Sequence, residues 1–182
     1  CCMSISDIKD SVIKCTKCEL CKTRTNAVPG KGSPNAKIVF IGEAPGRTED
    51  MRGEPFVGSA GKKLADALAK NGLERDSVYI TNVVKCRPPN NRVPNESERQ
   101  ACRAYLDAEL DMIKPEIICV LGNTASNSVL GQGEITKNRG KIIEQNGKKY
   151  FLTFHPAAII YNQELATIFE GDIATLADLI RK

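Results

Sequence analysis

Four short apolar segments, separated by amphipathic stretches, place the strongest constraint on the fold. They are KIVFIG (37–42), VYITNVV (78–84), EIICVLG (116–122) and KYFLTF (149–154). Each is rich in β-branched or aromatic residues and mostly lacks alternation, which is typical of strands buried on both faces. Because helical patterns lie between them, the sequence predicts an α/β fold with a central, mostly parallel four-stranded sheet covered by helices on both faces.

The helical patterns carry recognisable start and stop signals. Apolar residues recur on one face of 58–73, and Gly72 is a stop signal. Asn95, followed by Glu98 three positions later, predicts a capping box at the start of a long helix. A shorter helix is expected at 123–131, and one or two more are expected at the end of the chain.

Length and composition indicate a single globular domain spanning 1–182. Hydrophobic residues make up 41% of the 182 residues, and charged residues make up 26%. No apolar run approaches the roughly 20 residues of a membrane span, and the opening CCMSISDIKD lacks a secretion signal, so we expect a cytoplasmic protein with no membrane partner. Cys1 and Cys2 precede a methionine, which indicates an extension ahead of the start site. A net charge of +4 permits a polyanionic partner.

Eight cysteines are many for a cytoplasmic chain, and their clustering indicates a metal site. Cys15 and Cys18 form a C-x2-C pair, and Cys86 and Cys102 follow later in the chain. Four thiolates suit either a tetrahedral zinc ion or a [4Fe–4S] cluster, and spacing alone does not separate the two. Cys21 could replace Cys18 or merely lie beside the centre. Because four protein ligands leave no open position for substrate, the expected role is architectural.

Polar residues collect where the predicted strands end, at the edge of the sheet where α/β proteins bind ligands. GEAPGRTED (42–50) follows the first strand and provides Glu43 and Glu49; a solvated acidic turn is the alternative. Asn82 ends the second strand, where a core hydrogen bond is the alternative role. His155, the single histidine, follows the fourth strand.

An aromatic residue lies close by in sequence. Phe56 stands in a Gly/Pro-rich loop before a helix, where it is either a core residue or a stacking surface for a ligand.

Taken in order, these motifs resemble the family 4 uracil-DNA glycosylases, which are iron–sulfur enzymes. The motifs are GEAPG, PFVGxAGKKL, TNVVKCRPPxNRxP, Cys102 and HPAA, and the match runs from Cys15 to about Ile160. The resemblance implies a three-layer α/β/α domain that flips uracil out of DNA and excises it, leaving an abasic site. It also implies one [4Fe–4S] cluster on Cys15, Cys18, Cys86 and Cys102, with Cys21 outside the set.

The resemblance further implies roles in breaking the glycosidic bond. His155 would donate to uracil O2 as negative charge develops on the departing base. Asn82 would read the edge of uracil and reject cytosine, and Phe56 would stack on the base. Main-chain amides around Gly42, Glu43 and Ala44 would assist at O2.

Two positions differ from the best-known branch of the superfamily. Ala44 stands where that branch has an aspartate that positions water, so Glu43 and Glu49 are the candidates for this task, with Glu49 favoured. Gly46 stands where that branch has a tyrosine that excludes thymine, so the exclusion of thymine must come from elsewhere.

Contacts with single- or double-stranded uracil-containing DNA are expected from basic loops and from an apolar residue that fills the space of the flipped base. The principal candidates are Lys62, Lys85, Arg87, Arg92 and Ile159, with Lys63, Asn91, Lys137, Arg139, Lys141, Ile160 and Tyr161 as secondary ones. The start of the helix near GSAGKK offers free amides to a phosphate.

Three other functions would explain some of these features. A covalent uracil-trapping relative would carry a second histidine in the loop after the second strand, and KCRPPNNRVP has none. A non-enzymatic, metal-stabilised nucleic-acid-binding protein would explain the cysteines and basic loops but not GEAPG together with HPAA. An electron carrier fits poorly with a cluster beside a base pocket. The protein is expected to be a monomer, with any replication or repair partner left open.

Overall fold

The four predicted strands form the parallel centre of one sheet in the computed structural model, which describes residues 3–131 and 133–181. The strands are β1 (Lys31–Gly32), β2 (Ile38–Gly42), β3 (Tyr79–Asn82), β4 (Ile117–Leu121), β5 (Ile142–Gln145) and β6 (Lys148–Thr153). Their order is β1-β3-β2-β4-β6-β5. The pairs β2–β3, β2–β4 and β4–β6 are parallel, as predicted.

The predicted number of strands is wrong, because an antiparallel strand lies at each edge of the sheet. β1 has only two residues, too few to give an apolar pattern. β5 alternates exposed and half-buried residues and joins β6 through Asn146 and Gly147, both at positive φ. An Asn-Gly pair is a strong hairpin signal. Strands at the edge of a sheet meet solvent, so they lack the continuous apolar run that identified the central four.

Helices form in each of the four segments predicted to be helical, and the described residues hold four more that were not predicted, each of nine residues or fewer. The helices are α1 (Ile5–Ile13), α2 (Leu20–Thr23), α3 (Arg47–Arg52), α4 (Ser59–Lys70), α5 (Glu96–Ile113), α6 (Asn123–Leu130), α7 (Ile135–Asn138) and α8 (Gln163–Arg181). The capping box of α5 is confirmed, since Asn95 Oδ1 accepts from the Glu98 amide at 2.9 Å and Glu98 Oε1 accepts from the Asn95 amide at 2.9 Å. The end of the chain forms one long helix.

Successive residues of the central strands contribute to different layers of the core. Val39 packs with Leu106 of α5 on one face of the sheet. Phe40 packs with Leu68 of α4 and Phe169 of α8 on the other face. The three-layer α/β/α arrangement is therefore confirmed. A further cluster of buried residues holds α1 against α5 beside the cysteine-rich segment.

The parallel strands end at one edge of the sheet, which brings their following segments together. Gly42, Asn82 and His155 stand at or just after the ends of β2, β3 and β6. Within the described residues, no helix has the length and apolar character needed to cross a bilayer. The interpretation of Cys1 and Cys2 as an extension falls outside the described part of the chain.

Candidate active site and cysteine centre

A pocket opens at the edge of the sheet where the parallel strands end, and it gathers the predicted base-contacting residues. Four loops, the end of β3 and the helices α3 and α4 contribute to it. Its lining consists of Glu43, Ala44, Pro45, Gly46, Glu49, Phe56, Ala60, Asn82, Pro88, Asn91, Arg92, His155 and Ala157. Glu43 and Ala44 of GEAPG, together with Phe56, Asn82 and His155, thus lie around one cavity, whereas Gly42 is not among its lining residues.

His155 is held in one tautomer by its own loop. It precedes the short 3-10 helix Pro156–Ile159, and its Nδ1 accepts a hydrogen bond of 3.0 Å from the Ala157 amide. An imidazole nitrogen that accepts carries no proton, so the neutral ring carries its proton on Nε2. Burial lowers the pKa of His155 to about 4, although the charge of Glu49 opposes the shift. At neutral pH the ring is therefore an uncharged donor.

Asn82 presents an unused acceptor to this pocket. It ends β3 and is 2% exposed. Its Oδ1 is the one buried side-chain nitrogen or oxygen without a hydrogen-bond partner in the part of the chain that the structure describes. An unsatisfied buried acceptor costs free energy, so its presence in a pocket indicates a ligand that donates to it.

Phe56 is fixed between the two polar residues by strained backbone and close packing. Its φ is 51°, and its main-chain oxygen accepts from Arg75 Nη1 at 2.5 Å. The ring lies 5.6 Å from the imidazole of His155, centroid to centroid, at 31°. A Cβ on Gly42 would lie 2.5 Å from Phe56 Cζ and 2.6 Å from Asn82 Oδ1. The close approach of both side chains therefore requires glycine at position 42.

The two candidate carboxylates differ in how they are held. Glu49 accepts three main-chain hydrogen bonds, from Gly46 at 3.0 Å, Val57 at 3.0 Å and Gly58 at 2.7 Å. Its carboxylate therefore joins the GEAPG loop to the loop that carries Phe56. The half-buried side chain of Glu43 makes no hydrogen bond or ion pair with any described residue.

The cysteines line a second pocket, to which the β3–α5 connection also contributes. Cys15, Cys18, Cys21, Cys86 and Cys102 all line it, so the predicted quartet is brought together and Cys21 lies with it. Burial raises the pKa of Cys102 to about 11 and also raises that of Cys86, so a metal centre must displace protons to bind here. Among the described residues, no group of three or more His, Cys, Asp or Glu is arranged to hold a single metal ion.

Nitrogen donors surround these sulfur atoms. Arg24 Nη1 donates to Cys86 Sγ at 3.1 Å, and the Lys85 amide donates to Cys102 Sγ at 3.4 Å. The Lys17 amide lies 3.5 Å from Cys15 Sγ. Such N–H···S contacts stabilise thiolates and tune the potential of a bound cluster.

Two predicted DNA contacts are wrong because their side chains are buried. Lys85 is 1% exposed and its ammonium is bonded inside the protein, so it is not available to a phosphate. Ile159 is 3% exposed and packs in the core, so it cannot enter a base stack. In the same segment, Tyr161 is 99% exposed.

The remaining basic candidates lie at the surface with different partners. Lys62 is exposed in the first turn of α4. Arg87 donates to Asn91 Oδ1 at 2.7 Å. Arg92 lines the base pocket and makes two 2.8 Å hydrogen bonds to Glu98, which join the pocket wall to the start of α5.

The secondary basic candidates also differ in whether their side chains are exposed or held in an ion pair with a buried carboxylate. Lys63, Lys137 and Lys141 are exposed, whereas Arg139 is paired with Asp172 at 2.7 Å and 2.9 Å.

Comparison with known proteins agrees with this geometry. Residues 29–176 match the model of the uracil DNA glycosylase superfamily. The chain is 50% identical to a type-4 uracil-DNA glycosylase of Sulfurisphaera tokodaii, over 97% of this chain and 84% of that protein. It is 45% identical to the type-4 enzyme of Archaeoglobus fulgidus, over 98% and 94% of the two chains. It is 30% identical to a type-5 uracil-DNA glycosylase of Pyrobaculum aerophilum, over 85% and 74%.

Proposed function

This chain belongs to the uracil DNA glycosylase superfamily, and we propose that it excises uracil from DNA by hydrolysing the N-glycosidic bond, leaving an abasic site. It is a hydrolase of base excision repair. One observation carries the assignment: the unpartnered Oδ1 of Asn82 shares a pocket with the Nε2–H of His155. An acceptor and a donor set around an aromatic ring are what a flipped uracil requires.

The reaction calls for stabilisation of two developing charges. As the bond between N1 of uracil and C1′ of the sugar breaks, positive charge grows on the sugar and negative charge grows on the base. Water then adds at C1′ and loses a proton, and uracil takes up a proton as it departs. The site must therefore donate hydrogen bonds to the base oxygens and offer negative charge near C1′.

We assign the donor to His155. Its Nε2–H is directed by the Ala157 contact on the opposite nitrogen, so no rearrangement of the ring is needed as charge grows on O2. Because the pKa is lowered to about 4, the ring donates as a neutral imidazole. Main-chain amides of Gly42, Glu43 and Ala44 are proposed to add donors at the same oxygen.

Base selection is assigned to Asn82 and Phe56. The Oδ1 of Asn82 accepts from N3–H of uracil while its amide nitrogen donates to O4. Cytosine presents an acceptor at N3 and a donor at N4, so both hydrogen bonds are lost. The ring of Phe56 is proposed to stack on the flipped base.

The carboxylates are proposed to divide the remaining work. Three amide donors hold Glu49 still, which makes it a fixed negative charge facing the sugar. Glu43, whose side chain is unengaged among the described residues, is the group free to bind the attacking water. Both roles suit a dissociative reaction, in which bond breaking largely precedes attack by water.

The cysteine pocket fits a [4Fe–4S] cluster held by Cys15, Cys18, Cys86 and Cys102. The support is a set of soft thiol ligands in one pocket with N–H donors aimed at three of the sulfurs. When bound, the cluster supplies a structural cross-link between the N-terminal segment, the loop after β3 and α5. We place Cys21 beside the cluster rather than among its ligands.

The surface around the pocket is proposed to bind DNA through Lys62, Arg87 and Arg92. Because Ile159 is buried, we assign the residue that fills the vacated base stack to Tyr161. We propose that residues 1–182 act as one domain, as a monomer in the cytoplasm, on single- or double-stranded DNA that contains uracil.

The direct test incubates the purified protein with a uracil-containing oligonucleotide and assays for alkali-labile abasic sites. We expect cleavage by the wild type, and a loss of about a hundredfold or more in His155→Ala and Asn82→Ala with DNA binding retained. Unchanged excision in both variants would contradict the site assignment. A wild-type protein that binds DNA without releasing uracil would favour the non-enzymatic alternative, and a stable protein–DNA adduct would favour the covalent trap.

A further inference from the structure

A buried ion pair beside the cysteine pocket takes no part in the reaction proposed for the base pocket. Lys85 Nζ and Glu109 Oε1 are 2.5 Å apart, and both side chains are 1% exposed. Replacing such a pair with apolar residues is often neutral or stabilising, so burial alone does not account for its presence. Its contacts indicate what it does.

Every donor of the Lys85 ammonium has an acceptor, and one acceptor belongs to the residue that reads the base. Nζ donates to Glu109 Oε1 at 2.5 Å, to Thr81 Oγ1 at 2.5 Å and to the main-chain oxygen of Asn82 at 2.7 Å. An ammonium has three N–H donors, so the group is saturated and fixed. The peptide that follows the Asn82 Cα is therefore held in place.

Glu109 is held as firmly from the other side. Tyr79 donates to its Oε2 at 2.5 Å, and Thr81 donates to its carboxylate at 3.1 Å. Both donors are on β3, the strand that ends in Asn82. The network therefore joins α5 to β3 at the last residues before the pocket.

The hydrogen bond from Lys85 to the main-chain oxygen of Asn82 matters because, among the described residues, the side-chain Oδ1 of Asn82 has no hydrogen bond to hold it in place. No described residue donates to that atom. The direction of the amide in the free protein thus depends on the main chain and on packing against Gly42 and Phe56. Fixing the carbonyl of Asn82 fixes the direction in which its side chain leaves the chain.

The same lysine also contacts the cysteine centre. Its amide donates to Cys102 Sγ at 3.4 Å, and Cys86 is the next residue. Glu109 lies on α5 seven residues after Cys102, which places both on one face of that helix. Lys85 therefore contacts both the main-chain carbonyl of the residue that reads uracil and the segment that holds the cluster.

We propose that Lys85, clamped by Glu109, is a positioning residue that links the cysteine centre to Asn82 and so sets the affinity and selectivity for the uracil base. The proposal rests on the proposed function, because it assigns a partner to the residue that reads uracil. It predicts that disturbing Lys85 weakens base recognition while the fold and the cysteine centre persist.

The test uses a double variant that removes both buried charges, Lys85→Met with Glu109→Gln, so that no unpaired ion is left in the core. Inhibition of excision by free uracil is measured together with kcat and KM on U- and C-containing oligonucleotides, visible absorbance and Tm. The double variant loses the hydrogen bond between the Lys85 ammonium and the main-chain oxygen of Asn82. We therefore expect inhibition by free uracil to weaken about tenfold, the order expected when a hydrogen bond to a charged group is lost. Absorbance should be retained.

A thermodynamic cycle separates positioning from a general structural effect. Adding Asn82→Ala to the double variant should cost much less uracil affinity than adding it to the wild type, because contacting residues are not additive. Leu110→Ala, a buried apolar change on the same helix, is the control for lost stability and should leave uracil inhibition at the wild-type level. Additive effects, or equal loss in Leu110→Ala, would overturn the proposal.

Glu109→Gln alone provides a second variant if the double variant does not fold. It keeps the shape of the side chain but removes the negative charge that pairs with the Lys85 ammonium. Inhibition by free uracil should therefore weaken, as in the double variant. Wild-type inhibition in folded Glu109→Gln would also overturn the proposal. A wild-type protein that leaves uracil in DNA would instead contradict the proposed function, so the two failures are distinguishable.

Discussion

His155 accepts a hydrogen bond through Nδ1 from the amide of Ala157, 3.0 Å away, and this contact fixes which ring nitrogen carries the proton. The donor is supplied two residues along the same loop, so the tautomer is set locally. Pro156, between the two, restricts the backbone that makes the contact. A single histidine thereby becomes a dependable donor at Nε2 without a carboxylate partner.

The lowered pKa of His155 predicts a loss of stability in mild acid. The unfolded imidazole has a pKa near 6.5, and burial brings the folded value to about 4. Between these values the unfolded chain binds a proton that the folded protein does not, so the free energy of unfolding falls as the pH drops from about 6.5 to 4. We expect this residue to account for roughly 2–3 kcal/mol of that loss.

Urea unfolding of the wild type and of His155→Gln at pH 7 and pH 4.5 measures the effect. From pH 7 to pH 4.5, the free energy of unfolding should fall more for the wild type than for His155→Gln. The other titrating groups are common to both proteins, so their contributions cancel in the comparison. Parallel stability–pH curves would contradict the lowered pKa.

The two carboxylates should respond differently to neutral substitution. Glu49→Gln replaces an oxygen that accepts main-chain hydrogen bonds with an amide donor, so at least one of the Gly46, Val57 and Gly58 amides loses its acceptor. We expect a loss of about 1–3 kcal/mol in stability together with lower activity. Thermal unfolding and single-turnover excision measure the two effects.

Glu43→Gln is the matched comparison, because its side chain has no such bond to lose among the described residues. Stability should stay at the wild-type level while the rate constant for excision falls about tenfold or more. Full activity in Glu43→Gln would assign the water to Glu49.

Arg24 should raise the reduction potential of the proposed cluster. Its guanidinium donates to Cys86 Sγ, and a positive charge with a hydrogen bond to a ligand sulfur favours the reduced state. Arg24→Met should lower the midpoint potential by an amount on the order of tens of millivolts, since 59 mV corresponds to a tenfold change for one electron. Protein-film voltammetry measures the shift.

Lys22→Met is the control for loss of charge alone, because Lys22 lies nearby but pairs with Glu19 at the surface. It should leave the potential within error of the wild type. Equal shifts in both variants would assign the effect to net charge rather than to the hydrogen bond.

The parallel centre of the sheet and several residues of the pocket could be predicted from sequence because both depend on local signals, whereas Ala60, Pro88 and Ala157 of the lining were missed. Buried strands give continuous apolar runs, and topology places the polar residues at the ends of these strands, as with Asn82 at the end of β3 and His155 just after β6. The burial of the Lys85 side chain could not be predicted in this way. Its burial depends on Glu109, 24 residues away on α5, and a lone lysine in a basic loop looks the same whether or not such a partner exists.

Ile159 shows the same limit at shorter range. HPAAII predicts an apolar loop at the DNA surface, but the 3-10 turn Pro156–Ile159 directs Ile159 into the core beside α8. The residue left outside is Tyr161. Its ring is 99% exposed and follows Ala157 of the pocket lining by four residues, so it is the side chain of this segment that is available to DNA.

Tyr161 should therefore matter for duplex DNA and not for single strands. Flipping uracil from a duplex leaves a gap in the stack, and a ring inserted there offsets the cost of unstacking. Tyr161→Ala should lower excision from duplex DNA about tenfold, in line with about 1–3 kcal/mol for stacking a base on an aromatic ring. Excision from a single-stranded oligonucleotide and the Tm should not change, because the ring makes no packing contact to lose. Tyr161→Phe keeps the ring and should retain duplex activity, so equal losses in the two variants would assign the effect to the hydroxyl and contradict stacking.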